Sequence, residues 1–484
     1  MRQISLPLEH LAKWSQLNGV QLFDVAVDPH IIENGVDKGG GLLAKTDHEE
    51  AQTLLSVPLD LVLSKDTVSE AAKADKNLRE LIEATASLVQ NPRTAVLLFL
   101  IYQMTINSPD NEDHTIGVNN PFSGYVKFLP KEYPLPTLYT PEEKELLAGT
   151  SLADALDQKL ASLEREFDGL KAATEHIPWC QQFWWDDITG CLDVGDWKLA
   201  DAMYRSRALG LPRGASVAMV PVVDMANHAS VGHYNARFEV DEDAGSVILV
   251  VQDGKSIKAG EEVTIMYGAG GACEMIFSYG FLEEQANSAR EMFLSLSIPA
   301  DDPFRLAKIR FAQETPGVRI HVDETGQVCW DSTFAWWACV NQEDGLDFRV
   351  EQTIDGDMDL KATWKDGDLA AHELRAALLQ DQLRDVFVLR ATVMVQQRVE
   401  EQGMHLAASE DGYDQALPND QVRPSVYQTI GRLRNLELDL LTRAFQTLEQ
   451  EKLRLLESSV VRAYLGQGAD GSGLSTGEYP EDFS

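Results

Sequence analysis

Apolar and polar positions change their period several times along the chain, and each change predicts a different kind of element. Over residues 20–63, short apolar runs are separated by turn residues: residues 20–27, then Leu42-Leu43-Ala44 behind Lys38-Gly39-Gly40-Gly41, then residues 54–63 around Pro58. Alternation bounded by such residues predicts strands. From Ser69 to about Arg207 the apolar residues recur at helical spacing, which predicts helices over 77–90 and 93–102, with Asn91-Pro92 as the boundary. Another helix is predicted over 140–170, where Thr140 is placed to cap and Pro141 takes the first helical position. Strand character resumes over 216–265, where residues 238–240 and 246–252 flank a turn at 241–245. Beyond Phe281 the pattern becomes mainly helical, with long amphipathic stretches over 368–402 and 424–465. Residues 466–484, rich in Gly, Ser and acidic side chains, are expected to be a disordered tail.

A chain of 484 residues exceeds the length at which one core stops growing, roughly 250–300 residues, so two domains are expected. No apolar run approaches the ~20 residues of a membrane span, and residues 1–20 lack the basic start and apolar centre of a signal peptide. A soluble protein of the cytoplasm, the nucleus or both is expected. The five cysteines form no C-x-x-C pair, which argues against a disulfide framework or a structural zinc site. A formal net charge of −36 argues against direct nucleic-acid binding and suits a basic protein partner.

The candidate chemistry lies in a few short strings. Val223-Asp224-Met225-Ala226-Asn227-His228 is followed by Tyr267-Gly268 and then by Ser278-Tyr279-Gly280-Phe281. Arg205-Ser206-Arg207 places Arg207 17 residues before Asp224; Tyr267 and Tyr279 are 12 apart, with Glu274 between them. His228 and His233 are five apart on a turn-rich stretch without clustered acidic or cysteine partners, so no metal site is expected. Trp179, Trp184 and Trp185 form an aromatic group of the kind more often found in a core than in a ligand cage.

In the order glycine turn, Arg-Ser-Arg, Asp-x-x-Asn-His, Tyr-Gly, Glu, Tyr-Gly-Phe, these strings resemble the SET-domain protein methyltransferases of the Rubisco large-subunit methyltransferase type. The resemblance covers about residues 20–285 and, less specifically, the remainder. It implies an α+β chain: a β-rich SET fold over 1–285, interrupted by a helical insertion at about 69–207, then a mainly α-helical substrate-binding domain over 286–465. It also implies S-adenosylmethionine as cofactor, with Lys38, Gly39 and Gly40 lining its site through backbone atoms, Asn227 and His228 gripping it, and Arg207 offering donors to its carboxylate. Asp224 matches a position near the substrate pocket. Tyr279 matches the catalytic tyrosine, with Tyr267 as its pocket partner.

Glycines let backbone approach a ligand closely, and an arginine presents a fixed fork of donors. Methyl transfer is an in-line displacement in which positioning and electrostatics supply most of the acceleration. A phenol oxygen can accept weak C–H hydrogen bonds from a polarised methyl group. The activity implied is transfer of a methyl group to a lysine of a protein substrate, with a ribosomal protein, an elongation factor or a histone equally compatible with a basic partner. Methylation of a histidine, or a non-catalytic SET-fold interaction protein, are the alternatives. Two departures from the family pattern stand out. Gly270-Gly271-Ala272 replaces a common Lys-Ser-Asn stretch, and Leu199 occupies a position where the family commonly has Trp, with Trp197 two residues earlier.

Overall fold

The structure, a computed structural model, describes all residues except 34, 213–216, 353–357, 366, 417–420 and 471–484; the side chains of 33, 36 and 467–470 are likewise outside the description. The chain forms two compact units. The first holds Met1–Pro141, Asp154–Gly270 and Glu274–Gln285, and the second holds Glu142–Ala153, Gly271–Cys273 and the described residues from Ala286 onward.

In the first unit the strands are β1 (Gln21–Leu22), β2 (Val25–Asp28), β3 (Ile32–Glu33), β4 (Val36–Asp37), β5 (Gly41–Ala44), β6 (Thr53–Pro58), β7 (Ala208–Gly210), β8 (Val217–Met219), β9 (Asn227–His228), β10 (Ala236–Asp241), β11 (Ser246–Val251) and β12 (Glu262–Ile265). Two four-stranded sheets result, in the orders β1-β6-β11-β10 and β2-β5-β12-β9. The apolar positions that alternate along these strands, among them Val25, Leu42, Leu54, Val57, Leu249 and Val263, meet in one buried core. β9 runs parallel to β12, pairing Asn227 with Thr264 and His228 with Ile265. Strands that are far apart in sequence are thus joined, which brings Lys38–Gly41, Asn227-His228 and the stretch following β12 into one neighbourhood.

Helices Lys65–Ala74, Lys76–Ala84, Pro92–Asn107, Ser151–Thr174 and Val194–Arg207 dominate the insertion. Asn91 caps Pro92–Asn107 as its sequence suggests, accepting from the Arg93 N–H at 2.9 Å. A second core fills this region, and Trp184 and Trp197 are almost wholly enclosed in it. Trp179 and Trp184 meet edge to face with ring centroids 4.9 Å apart, and Trp184 donates to Thr105 Oγ1 at 2.8 Å, so these aromatic residues are packing. Polar ties fix the helix that carries Arg207. Arg93 on Pro92–Asn107 donates to Asp201 on Val194–Arg207 at 2.6 Å and to Glu166 on Ser151–Thr174 at 3.1 Å, while Trp197 also reaches Glu166 at 3.1 Å. Asp201 is fully buried, and its charge is offset by Arg93, Lys159 and Arg205.

The second unit differs from the sequence expectation in four ways. Among its described residues it holds two antiparallel three-stranded sheets, β13 (Glu291–Ser295), β14 (Gly317–Val322) and β15 (Val328–Asp331), then β16 (Leu346–Gln352), β17 (Met358–Trp364) and β18 (Gly367–Leu369). Met292 and Leu294 are buried while Phe293 and Ser295 are exposed, a period-two signal that a helical reading of this stretch passes over. The predicted helix over 140–170 is broken into Pro141–Glu145 and Ser151–Thr174. At the break, Gly149 has φ of +77° and packs against the backbone of His405 and Leu406, where a Cβ would not fit. Residues 142–153 therefore group with the second unit: Arg423 pairs with Glu143 at 2.7 Å, and Ser151 donates its N–H to Glu437 at 3.0 Å.

The third difference lies in the amphipathic stretches, which are also divided. The 368–402 stretch becomes Leu374–Gln380 and Arg384–Ala408, and the 424–465 stretch becomes Pro424–Leu456 and Ser459–Asp470, with Arg384–Ala408 and Pro424–Leu456 packed on each other. The expected disordered tail is helical as far as Asp470; its remainder, 471–484, lies outside the described residues.

Candidate active site

Asp224 stands on a 3-10 turn, Val223–Met225, that enters β9. The turn begins at Val222, a buried β-branched residue with φ of +74°, a strained conformation for such a side chain. That kink turns the Asp224 carboxylate inward, where Tyr125 donates to it at 2.6 Å and Arg207 at 3.2 Å; the same guanidinium donates to the Asp224 carbonyl at 3.0 Å. Burial pushes the Asp224 carboxyl up, against the pull of Arg207 and the Tyr125 hydrogen bond. Burial also opposes the charge on Arg207, but Tyr133, Asp224, Tyr125 and Tyr267 outweigh it, and the guanidinium is held in its charged form. Arg207 Nε and one Asp224 carboxylate oxygen are buried without a hydrogen-bond partner among the described residues. Asp224 is therefore an internal partner of Arg207, with its side chain wholly enclosed.

The glycine turn and Asn227 meet directly. Ile31 donates to the Gly39 carbonyl and accepts from the Lys38 N–H, both at 2.8 Å, and Asp37 accepts from the Gly39 N–H at 2.8 Å. Gly39 has φ of +85°, and among the described residues, its chain neighbours aside, no atom lies within 4 Å of the place its Cβ would take, so its backbone borders open space. Asn227 donates to the Gly40 carbonyl at 3.2 Å and to Glu262 at 2.7 Å. Glu262 also faces the Lys38 ammonium at 3.5 Å.

His228 turns its ring away from the turn, towards the tyrosines. Its Nδ1 accepts from the Tyr267 N–H at 3.1 Å and its Nε2 meets Glu283 at 2.9 Å. Both ring nitrogens are occupied, which leaves only the backbone of His228 to hydrogen-bond a ligand. Tyr267 donates its hydroxyl to the Ala226 carbonyl at 2.9 Å, and Tyr279 donates to the Tyr267 carbonyl at 3.3 Å. Tyr267, Tyr279, Phe281 and the His228 ring form an aromatic cluster, with the two tyrosine rings 4.7 Å apart. Burial raises the pKa of both phenols, so they stay neutral around pH 7.

The chain thus brings every sequence-chosen residue into the first unit: Lys38, Gly39 and Gly40 against Asn227, His228 against Tyr267 and Tyr279, and Arg207 against Asp224. No protein-family model matches the chain. The SET domain-containing protein 8 of Schizosaccharomyces pombe is 27% identical over 370 residues, covering 74% of this chain and 79% of that protein. The chloroplastic Rubisco large subunit N-methyltransferase of Nicotiana tabacum is 27% identical over 323 residues, 65% of this chain, and the match spans only 59% of the tobacco protein. A solved structure of the SET domain of LSMT bound to lysine and AdoHcy superposes with a TM-score of 0.66 at 20% identity, covering 96% of each chain. The chain has the SET fold of the Rubisco large-subunit methyltransferase type.

Within that SET fold, four contributors carry little or no local sequence signal. Tyr125 and Tyr133 come from the insertion, about a hundred residues before Asp224, and nothing local marks them. Glu262 carries a weak signal as a polar residue opening an apolar strand. Glu283 follows Tyr279-Gly280-Phe281 by two residues, and that proximity to the motif is its one sequence signal. The altered loop is shaped by packing: a Cβ at Gly271 would lie 2.7 Å from the Ala289 carbonyl oxygen and 2.9 Å from that of Glu291, and one at Gly270 would collide with the Glu274 side chain. The absence of a Cβ at Gly271 is what lets these backbones approach.

Proposed function

We propose that the chain is an S-adenosylmethionine-dependent protein-lysine N-methyltransferase. The observation that carries this reading is the tyrosine pair: Tyr279 commits its hydroxyl hydrogen to the Tyr267 carbonyl, which turns the phenol lone pairs outward as acceptors. Two features fit the cofactor. The Gly39 backbone borders space that a side chain would fill, and Arg207 holds a buried, unpartnered Nε–H among the described residues, suited to a carboxylate. Lys38, Gly39, Gly40 and the backbone of Asn227 and His228 would hold it, with Arg207 fixed by Asp224. When bound, the cofactor supplies an electrophilic sulfonium methyl.

The residues of the chain do the rest. The Tyr279 phenol oxygen would accept weak C–H hydrogen bonds from that methyl and help to align it. Tyr267, Phe281 and the His228 ring would line the acceptor channel, and a lysine desolvated on entering it would release its ammonium proton to the solvent outside more readily than its usual pKa of about 10.4 allows, presenting a neutral amine. The two tyrosines, pushed up by burial, serve as acceptors and not as bases.

A basic protein substrate fits the net charge of −36, and a place in the cytoplasm or nucleus fits five free cysteines; both belong to this proposal. The test is transfer of labelled methyl from S-adenosylmethionine to proteins of an extract, with mass spectrometry of the acceptor. Label on lysine supports the reading. Label on histidine replaces lysine by histidine as acceptor. Absence of cofactor binding in calorimetry supports the non-catalytic interaction protein instead.

A further inference from the structure

We propose that Glu283 is a positioning residue for the tyrosine pair, acting through His228. The inference rests on the methyltransferase reading for its functional consequence, while its geometry stands apart from it. A backbone N–H can only donate, so the 3.1 Å contact from the Tyr267 N–H requires a lone pair on His228 Nδ1. In the neutral ring the proton then sits on Nε2, and it points at Glu283 Oε1, 2.9 Å away. The His228 side chain is only 3% exposed and that of Glu283 15%, so the contact is shielded from competing water. Glu283 thereby selects the one tautomer that can hold the Tyr267 backbone.

The consequence runs through Tyr267. Its N–H is anchored by His228, its hydroxyl by the Ala226 carbonyl, and its own carbonyl receives the Tyr279 hydroxyl. Removing the Glu283 acceptor frees the ring to carry its proton on Nδ1, where it would face the Tyr267 N–H donor to donor. The backbone at 267 would then shift, and with it the carbonyl that orients the Tyr279 phenol. Hydrogen-bonded partners of this type fix ring orientation in many sites where a histidine has a defined task.

Three variants test this: Glu283→Leu removes the acceptor, Glu283→Asp withdraws it by one methylene, and Glu283→Gln keeps an acceptor oxygen without the charge. The first readout needs no activity. Imidazole nitrogen chemical shifts, assigned with His228→Asn, report the tautomer, and amide hydrogen exchange reports the Tyr267 N–H. Wild type and Glu283→Gln should show the Nε2–H tautomer and a protected Tyr267 amide. Glu283→Leu should show a mixed tautomer and exchange at Tyr267 faster by about ten-fold, the loss of one net hydrogen bond. If Glu283→Leu does not fold, Glu283→Asp carries the same test with a smaller change in the same direction. The second readout is kinetic: kcat should fall about ten-fold in Glu283→Leu with KM for S-adenosylmethionine unchanged, and Glu283→Gln should restore it. An unchanged tautomer and unchanged Tyr267 protection in both Leu and Asp variants overturn the proposal. An altered tautomer in a protein whose wild type transfers no methyl group leaves Glu283 as the positioning residue and removes the methyltransferase reading.

Discussion

The hydroxyl of Tyr279 donates to the main-chain carbonyl of Tyr267 at 3.3 Å, across rings whose centroids are 4.7 Å apart. The contact fixes which way the phenol oxygen faces, and the oxygen is the part of the residue that can touch a reacting methyl. Tyr279→Phe removes that oxygen and leaves the ring. Turnover should fall by at least roughly two- to five-fold, the equivalent of one C–H···O contact of about 0.5–1 kcal/mol, with the melting temperature nearly unchanged. Steady-state kinetics beside a thermal melt check it; unchanged turnover would take Tyr279 out of the catalytic role.

Arg207 and Asp224 form a buried ion pair, and breaking it from one side strands a charge. Asp224→Asn should cost on the order of 3–5 kcal/mol of stability, because the Arg207 guanidinium remains enclosed without a counter-charge. The double variant Arg207→Met/Asp224→Leu should recover much of that stability and none of the cofactor affinity. Denaturant unfolding of the two singles and the double, read as a cycle, measures the coupling; additive costs would show that the pair does not act as a unit.

Gly41 opens β5 where a Cβ would lie 2.5 Å from Ile31 Cγ1 and 2.9 Å from the Asn227 side-chain nitrogen. Gly41→Ala should therefore push the Asn227 amide off Gly40 and Glu262. At Gly40 the nearest atom to an added Cβ is a methyl at the far end of the Leu8 side chain, which can move, so Gly40→Ala should disturb less. Calorimetric titration with S-adenosylmethionine should show the larger loss of affinity for Gly41→Ala; equal losses would mean that Asn227 does not shape the site.

Glu437 titrates at an unusual place. Burial pushes its carboxyl from 4.5 up to about 7, against hydrogen bonds from Ser151 and the nearby Arg434. Between those two values the folded state holds a proton that the unfolded chain has released, so stability falls as pH rises from about 4.5 to about 7 and is level above. The change from this one group is of order 3 kcal/mol. Glu437→Gln should flatten that slope relative to wild type in chemical denaturation at pH 5 and pH 8; equal slopes would place the carboxyl in the ordinary range.

The sequence by itself determined the coarse order of β-rich, helical and β-rich stretches in the first unit, the helix start at Asn91-Pro92, and the motif residues Asn227, His228, Tyr267 and Tyr279 that come together there. It could do so because period, capping and motif spacing are local properties that survive without a fold. Tertiary structure alone decided where helices break and which partners the gathered residues have. Gly149 interrupts a continuous amphipathic pattern because backbone from His405 and Leu406 occupies the space a Cβ would need. His228 turns to Glu283, and Arg207 to Asp224 and Tyr125, because packing brings together residues up to about a hundred positions apart. A hydrogen-bond partner at that separation leaves no trace in local periodicity, so the motif could name the tyrosines but not the carboxylate that holds them in place.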